Sequence, residues 1–247
     1  MLQKEFPILE FDKDKNALLK PHNGIQSADI SNRCVLCFFG EVFDKILDEC
    51  SHKIVTHFIA GSVKLPIYEL EYKCEKIILL QAYVGAPGAA AQIDELTALG
   101  CRKFIACGGC GVLQKDIAVG HLIIPTAAVR DEGTSYHYVE PSREITANER
   151  VIKTIENTLT EQKVPYIKAK TWTTDAVYRE TPAKIQLRKM ETAAYIAVAQ
   201  YNNVDFGQIY YAGDSLAGDE WDDRGWGTRT DLREFVLRLA LDTCIAL

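Results

Sequence analysis

The sequence has no long apolar run and no excess of positive charge. No stretch approaches the roughly 20 uninterrupted apolar residues that a membrane helix requires, and residues 1–7 lack the apolar segment of a secretion signal. A net charge of −6 and the lack of a concentrated basic face argue against a nucleic-acid backbone as the main partner. We therefore expect a soluble, cytoplasmic protein that binds a small molecule, without nucleic-acid or membrane partners.

Internal repeats, low-complexity segments and linkers rich in glycine and proline are also missing. With 247 residues, 47% of them apolar, the chain can bury a substantial core. We predict a single domain over residues 1–247, in which residues 1–20 form a polar N-terminal extension that lies on the body of the domain.

The eight cysteines are expected to be reduced thiols, because no secretion signal accompanies them. Two Cys-x-x-Cys pairs, Cys34 with Cys37 and Cys107 with Cys110, raise the alternatives of a zinc or redox site. A zinc site would need the two pairs to converge, and a thioredoxin-like motif should open a helix after a strand. We therefore predict no metal site.

Short apolar runs followed by helical patterns dominate the chain. The runs at 34–39 and 77–84 are typical of strands buried on both faces. Further strands are predicted at 103–107, 121–125, 168–174 and 208–212, and helices at 42–50, 89–99, 148–162, 184–201 and 230–246. This alternation predicts an α/β fold with a mostly parallel or mixed sheet covered on both faces. Ligands of such sheets bind at the C-terminal ends of the strands.

Three segments in the second half of the chain are the most informative. Residues 173–181, 190–194 and 212–215 read TTDAVYRET, METAA and AGDS. In this order they resemble the base-binding strand, the ribose-binding Met-Glu pair and the base-protonating Asp of the nucleoside phosphorylase superfamily, which includes purine nucleoside phosphorylases, uridine phosphorylases and nucleosidases. Residues 130–138 resemble a segment of uridine-phosphorylase-like members. The resemblance implies a three-layer α/β/α sandwich with a mixed, twisted central sheet.

The resemblance also assigns contacts with a nucleoside. Met190 and Glu191 would bind the ribose, and His22 would reach the ribose 5′-hydroxyl of a neighbouring subunit, which implies a homo-oligomer, a dimer or hexamer, with shared active sites. The turn at Gly85 would approach the anion and the ribose at a helix N-terminus. The composition of the loop 219–226, rich in acids and indoles, adds that Trp221 or Trp226 would stack on the base, or else that these aromatics pack against the last helix or another subunit. The other predicted substrate-binding residues are Thr173, Thr174, Asp175, Tyr178, Arg179, Gly108 and Gly109.

Two carboxyl groups are predicted to be catalytic. Breaking an N-glycosidic bond builds negative charge on the leaving base, so a proton donor near a purine ring nitrogen assists it. Asp214 is the predicted acid, since it follows a strand as in purine-cleaving members; the alternative is an Asp that caps a turn. Glu41, in the first loop, is the predicted base that activates a water, and its alternative role is to cap the following helix.

The phosphate-binding motifs of the phosphorylases are altered in this chain. Val42 stands at the arginine position of the first loop, and residues 106–109 lack the arginine and the hydroxyl of the second. Each charge-assisted hydrogen bond is worth roughly 1.5–3 kcal/mol, so phosphate binding is weakened unless Arg130 or Arg179 takes over.

We predict an enzyme, a pentosyltransferase or related N-glycosidase of nucleoside metabolism. It would cleave a purine nucleoside to free base and ribose 1-phosphate, with inorganic phosphate as co-substrate and no cofactor. One alternative is a nucleosidase that uses water, because the phosphate-binding arginines are absent. The other is a non-catalytic protein that binds and senses nucleosides.

Overall fold

A mixed β-sheet lies at the centre of the computed structural model, which describes residues 4–21, 30–61, 63–187, 192–218 and 220–247. Its strands within these ranges are β1 (Arg33–Cys37), β2 (His52–Ala60), β3 (Val63–Tyr72), β4 (Glu75–Gln81), β5 (Lys103–Val112), β6 (Leu122–Asp131), β7 (Glu144–Thr146), β8 (Tyr166–Thr174) and β9 (Asp205–Ser215). The helices are α1 (Phe43–Glu49), α2 (Ala86–Leu99), α3 (Glu149–Glu161), α4 (Pro182–Leu187), α5 (Ala193–Asn202) and α6 (Thr230–Ala246).

The strand order is β2-β3-β4-β1-β5-β9-β6-β7, and β8 pairs with β6. The central neighbours β4, β1, β5 and β9 are parallel to one another, while β2, β3 and β4 form an antiparallel meander. Strand β6 runs antiparallel to β9 and parallel to β8. The C-terminal ends of β1, β5 and β9 therefore lie side by side at one edge of the sheet.

Helices cover both faces of this sheet. Alternate residues of β1 show the division, because Val35 and Cys37 pack in the core on the side of α1, α3 and α6, while Cys34 and Leu36 pack on the side of α2 and α5. This arrangement confirms the predicted three-layer α/β/α fold with a mixed sheet. Within the described ranges, no helix combines the length and apolar composition that crossing a bilayer requires.

Most predicted elements are present, but some differ. The antiparallel pair β2 and β3 and the short strand β7 were not predicted, and the prediction of one helix over 184–201 is wrong. Helix α5 begins at Ala193, and the backbone N–H groups of Thr192 and Ala193 both donate to Thr173 Oγ1 at the end of β8. A hydroxyl from a distant strand thus sets the start of α5.

The N-terminal segment contacts the domain at several points. Lys15 Nζ donates to the Tyr201 carbonyl at 2.6 Å and lies over the Tyr201 ring. Lys13 forms an ion pair with Glu140 at 2.7 Å. These contacts attach residues 4–21 to α5 and to the loop that precedes β7.

Candidate active site

Two adjoining cavities lie beside the C-terminal ends of β5, β8 and β9. The indole cavity, about 290 Å³, is lined by Trp172 and Trp226 together with Glu180 and Asp214. The threonine cavity, about 420 Å³, is lined by Thr173, Thr174 and Thr192 together with Gly85 and Phe38. Val177 and Tyr210 line both cavities, so the two adjoin at these side chains.

Glycines in β5 make room for the indole cavity. A Cβ atom on Gly111 would lie 3.1 Å from Asp214 Oδ1, and one on Gly109 would lie 3.1 Å from the Tyr211 ring. Side chains at these positions would press on the carboxylate or on the core. With Trp172 and Trp226 as flat apolar walls, the cavity suits a planar ring with polar edges.

Asp214 lies at the end of β9, where a loop folds back onto it. The backbones of Ser215 and Asp222 exchange two hydrogen bonds of 2.8 and 3.0 Å, which closes this loop. Trp221 Nε1, carried by the loop, donates to Asp214 Oδ2 at 2.8 Å. The predicted link between Trp221 and the site therefore takes the form of a hydrogen bond, while the indole ring stays 61% exposed.

Glu180 is a second carboxyl group in the indole cavity, and the sequence prediction omitted it. It follows a tight turn, Val177–Arg179, that is anchored at both ends by hydroxyls: Thr174 Oγ1 accepts from Ala176 N, and Thr181 Oγ1 accepts from Lys184 N. The half-buried Glu180 has no hydrogen bond or ion pair with any residue in the described ranges. Its presence inside the most specific motif, residues 173–181, was the available signal.

The pKa of Glu180 is raised above its ordinary value. Burial disfavours its charged form, and the negative charge of Asp214 adds to this effect, while Lys184 acts in the opposite direction. Lys184 Nζ is 3.5 Å from Asp131 Oδ2, which also accepts a hydrogen bond from Trp172 Nε1.

The threonine cavity is built where β8 meets the start of α5. Thr173 Oγ1 accepts from Ala193 N at 2.6 Å, and Thr171 Oγ1 donates to Thr192 Oγ1 at 3.0 Å. Thr174 and Asp175 line the same cavity, and Asp175 Oδ2 accepts from Gly133 N at 2.9 Å. The predicted ribose-binding residues Met190 and Glu191 lie outside the described residues, directly before Thr192, and His22 also lies outside them.

Two further glycines influence the threonine cavity, one that lines it and one that lies behind it. Gly85 has φ +106° at the start of α2, a conformation that favours glycine, and it lines the threonine cavity. Gly108 does not line either cavity, but a Cβ atom there would lie 2.9 Å from the Phe38 ring. It therefore allows Phe38 to reach the cavity.

A family comparison decides what kind of protein carries this cleft. Residues 32–245 match the model of the phosphorylase superfamily. The chain belongs to this superfamily. A guanosine phosphorylase of Halorubrum lacusprofundi is 29% identical over 119 residues, which are 48% of this chain and 48% of that protein. The chain thus spans about half the length of this curated relative in the match.

Solved structures of two nucleoside- or nucleotide-named enzymes share the fold. A purine nucleoside phosphorylase from Toxoplasma gondii, in complex with immucillin-H, has a TM-score of 0.72 at 17% identity, covering 93% of this chain and 98% of that chain. The AMP nucleosidase from Bacteroides thetaiotaomicron has a TM-score of 0.68 at 23% identity, covering 89% of each chain. At these identities the likeness concerns the fold alone.

Glu41, the predicted catalytic base, does not line either cavity. Its carboxylate forms an ion pair with Arg233 of α6, and it makes no side-chain cap of the helix that follows. Arg233 is buried; its Nε donates to the Tyr211 hydroxyl at 3.1 Å and its Nη2 to the Trp226 carbonyl at 3.2 Å. Val42 is fully buried in the core.

The two arginines considered as substitute phosphate ligands have different surroundings. Arg130 is buried, and its guanidinium donates to Ser135 Oγ, Ser142 Oγ and the Glu140 carbonyl at 2.7–2.8 Å. These bonds hold the loop between β6 and β7. Arg179 and Tyr178 are exposed, and neither lines the cavities.

The charge of the cleft is one-sided. Asp175, Glu180 and Asp214 line it, and none of its described lining residues is lysine, arginine or histidine. Such a surface favours a ligand that develops positive charge and opposes an anion.

Proposed function

We propose that this chain cleaves the N-glycosidic bond of a purine nucleoside, with the base in the indole cavity and the ribose in the threonine cavity. The observation that carries the proposal is the pair of carboxyl groups, Glu180 and Asp214, facing a cavity with aromatic walls. A purine that leaves with the bonding electrons needs a proton on a ring nitrogen, and a carboxyl group in this cavity can supply it. A pyrimidine base offers no equivalent imidazole nitrogen.

The ribose assignment rests on the position of the Met-Glu pair in the sequence. Met190 and Glu191 directly precede Thr192, which lines the threonine cavity. Acids around the sugar would also stabilise the positive charge that develops on the ribose as the bond breaks. The homo-oligomer with a site shared through His22 stays a prediction.

The acceptor that membership of the phosphorylase superfamily supports is inorganic phosphate, which would give ribose 1-phosphate. A second candidate is water, which would make the chain a nucleosidase. A specific observation favours it: no basic side chain lines the described part of the cleft, and Val42 is buried where phosphorylases have an arginine. Neither reaction needs a cofactor.

The test is to incubate the purified chain with purine and pyrimidine nucleosides, with and without phosphate, and to follow the release of free base. We expect release from purine nucleosides. Release that requires phosphate would exclude the nucleosidase, and release without phosphate would exclude obligatory phosphorolysis. Tight binding without any release would contradict the proposed activity and favour a nucleoside sensor.

A further inference from the structure

We propose that Arg233, which lines neither cavity, is a positioning residue for the base. It holds the Trp226 wall of the indole cavity in place and thereby sets the affinity for the purine ring. The proposal rests on the proposed function and deepens it, since it names the residue that fixes the base-binding wall. Arg233 acts through Trp226 and not on the reacting atoms.

The two indole walls of the cavity differ in how the chain supports them. Trp172 belongs to strand β8 and is 2% exposed, so the sheet and the core fix its ring. Trp226 belongs to a short turn, Trp226–Thr228, between β9 and α6, and it is 37% exposed. A surface loop is more mobile than a strand of the sheet. Trp226 therefore depends on contacts from other elements to form a fixed wall.

Two buried side chains hold the backbone of Trp226. Its carbonyl oxygen accepts from the Tyr211 hydroxyl at 3.0 Å and from Arg233 Nη2 at 3.2 Å. Arg233 Nε also donates to the Tyr211 hydroxyl at 3.1 Å, so the three groups form a closed set of hydrogen bonds. The planar fork of a guanidinium can donate to both acceptors at once. Removal of this one side chain therefore weakens both anchors of the turn.

The side chain of Trp226 has contacts on two sides. The guanidinium carbon of Arg233 lies over the indole, 5.2 Å from the ring centre, a distance at which a cation attracts an aromatic face. On the side of β9, a Cβ atom on Gly213 would lie 3.3 Å from Trp226 Cβ. The side chain thus packs against the strand backbone next to Asp214, which lines the same cavity.

Glu41 occupies the remaining nitrogen of the guanidinium, because its carboxylate pairs with Arg233 Nη1. All three nitrogens of Arg233 thus have protein partners, so the guanidinium is not available to bind phosphate, and holding Trp226 is the role its contacts support. Glu41→Gln would keep an oxygen acceptor for Nη1. The proposal therefore assigns the effect on the base to Arg233 and not to Glu41.

The experiment compares Arg233→Met with Arg238→Met, a matched control from the same helix. Arg238 forms ion pairs with Glu49 at 2.7 Å and with Glu234 at 2.8 Å, and it lines neither cavity. Kinetics are measured with inosine, guanosine and adenosine in the presence of phosphate, well below the unfolding transition. We expect Arg233→Met to raise KM about 10-fold and to change kcat less than about 3-fold, because the wall contributes to binding. Arg238→Met should keep the wild-type KM.

Arg233→Lys is the conservative variant. It keeps the charge but loses the planar fork, so it cannot reproduce both hydrogen bonds in the same geometry. We expect a KM between those of wild type and Arg233→Met, with kcat preserved. If Arg233→Met does not fold, the KM of Arg233→Lys decides the question.

Fluorine NMR of the chain labelled with 5-fluorotryptophan reports on the wall without turnover. Trp226→Phe identifies the Trp226 resonance among those of the three tryptophans. We expect Arg233→Met to shift or broaden this resonance and to leave that of Trp172 in place. Free hypoxanthine should shift the Trp226 resonance at a lower concentration in wild type than in Arg233→Met.

Three results would overturn the proposal: a wild-type KM in both Arg233 variants, an equal rise of KM in Arg238→Met, or a Trp226 resonance that Arg233→Met leaves unchanged. A fall in kcat at unchanged KM would also contradict it, since Arg233 would then act on bond breaking. A wild-type chain that releases no base from any nucleoside would instead overturn the proposed function. The fluorine spectra would still decide whether Arg233 holds Trp226.

Discussion

Glu41 and Glu180 both follow the C-terminal end of a strand, yet their carboxyl groups have opposite surroundings. Glu41, after β1, is paired with the buried guanidinium of Arg233, which also supports Tyr211 and the Trp226 carbonyl. Glu180, after β8, faces a cavity with no hydrogen bond or ion pair from the described residues. A carboxylate in an ion pair stabilises the fold, whereas a carboxyl group without such a partner, next to a second acid, can hold a transferable proton. The partners of a carboxyl group, and not its place in a motif, indicate its role.

The largest expected effect comes from a direct comparison of the two glutamates. We expect Glu180→Gln to lower purine release about 100-fold or more and Glu41→Gln to change it less than about 2-fold, since Glu41 lies outside both cavities. Steady-state kinetics with and without phosphate measures both. A Glu41→Gln variant whose phosphate-independent release collapses would restore Glu41 as the base that activates water.

Arg233→Met tests whether the ion pair of Glu41 stabilises the fold. It removes a buried guanidinium and leaves Glu41 and the Tyr211 hydroxyl without their donor. We expect the free energy of unfolding to fall by about 2 kcal/mol and no more, because Glu41 is half-exposed and water can replace part of its partner. For a chain of this size that corresponds to a fall in Tm of about 4–8 °C.

Arg233→Lys is the control for this variant, because it keeps the charge and loses the planar fork. An intermediate Tm is expected. If Arg233→Met unfolds at the wild-type temperature, the ion pair between Glu41 and Arg233 contributes nothing to stability. Glu41 would then have no structural role to set against that of Glu180.

Thr173→Ala affects the wall of the threonine cavity and is expected to have a smaller effect. Thr173 Oγ1 accepts from the N–H groups of Thr192 and Ala193, so its removal leaves the start of α5 without its cap. We expect the free energy of unfolding to fall by about 1 kcal/mol. We also expect a raised KM for the nucleoside, since Thr173 and Thr192 line the threonine cavity. Thermal unfolding and KM should recover in Thr173→Ser.

Sequence patterns predict the elements whose partners are local. The apolar run of β1 predicts a strand covered on both faces, and both its faces are buried. The antiparallel pair β2 and β3 escaped prediction because the polar residues Thr56 and His57 interrupt the apolar pattern of β2. The single helix predicted over 184–201 failed because Thr173, in another element, sets the start of α5.

The same limit applies to the site. Asp214 follows a strand, so its place at the sheet edge could be predicted from the sequence. The role of Glu41 depends on Arg233, which lies 192 residues later, and no local pattern joins the two. Glu180 lies inside the motif 173–181, but its place in the cavity that Asp214 also lines depends on the turn after β8. Residues that act through distant partners require the folded chain.

The smallest expected effect concerns the hydrogen bond that Trp221 Nε1 donates to Asp214. Trp221→Phe keeps an apolar ring and removes the N–H that Asp214 accepts. Without this bond the Asp214 carboxyl group is held less firmly in the indole cavity, so we expect purine release to fall about 2-fold. Trp221→His, which retains an N–H donor, should restore the rate, and turnover of a nitrophenyl riboside, whose leaving group needs no proton, should not change in either variant. An unchanged purine rate in Trp221→Phe would mean that this hydrogen bond does not position Asp214 for the reaction.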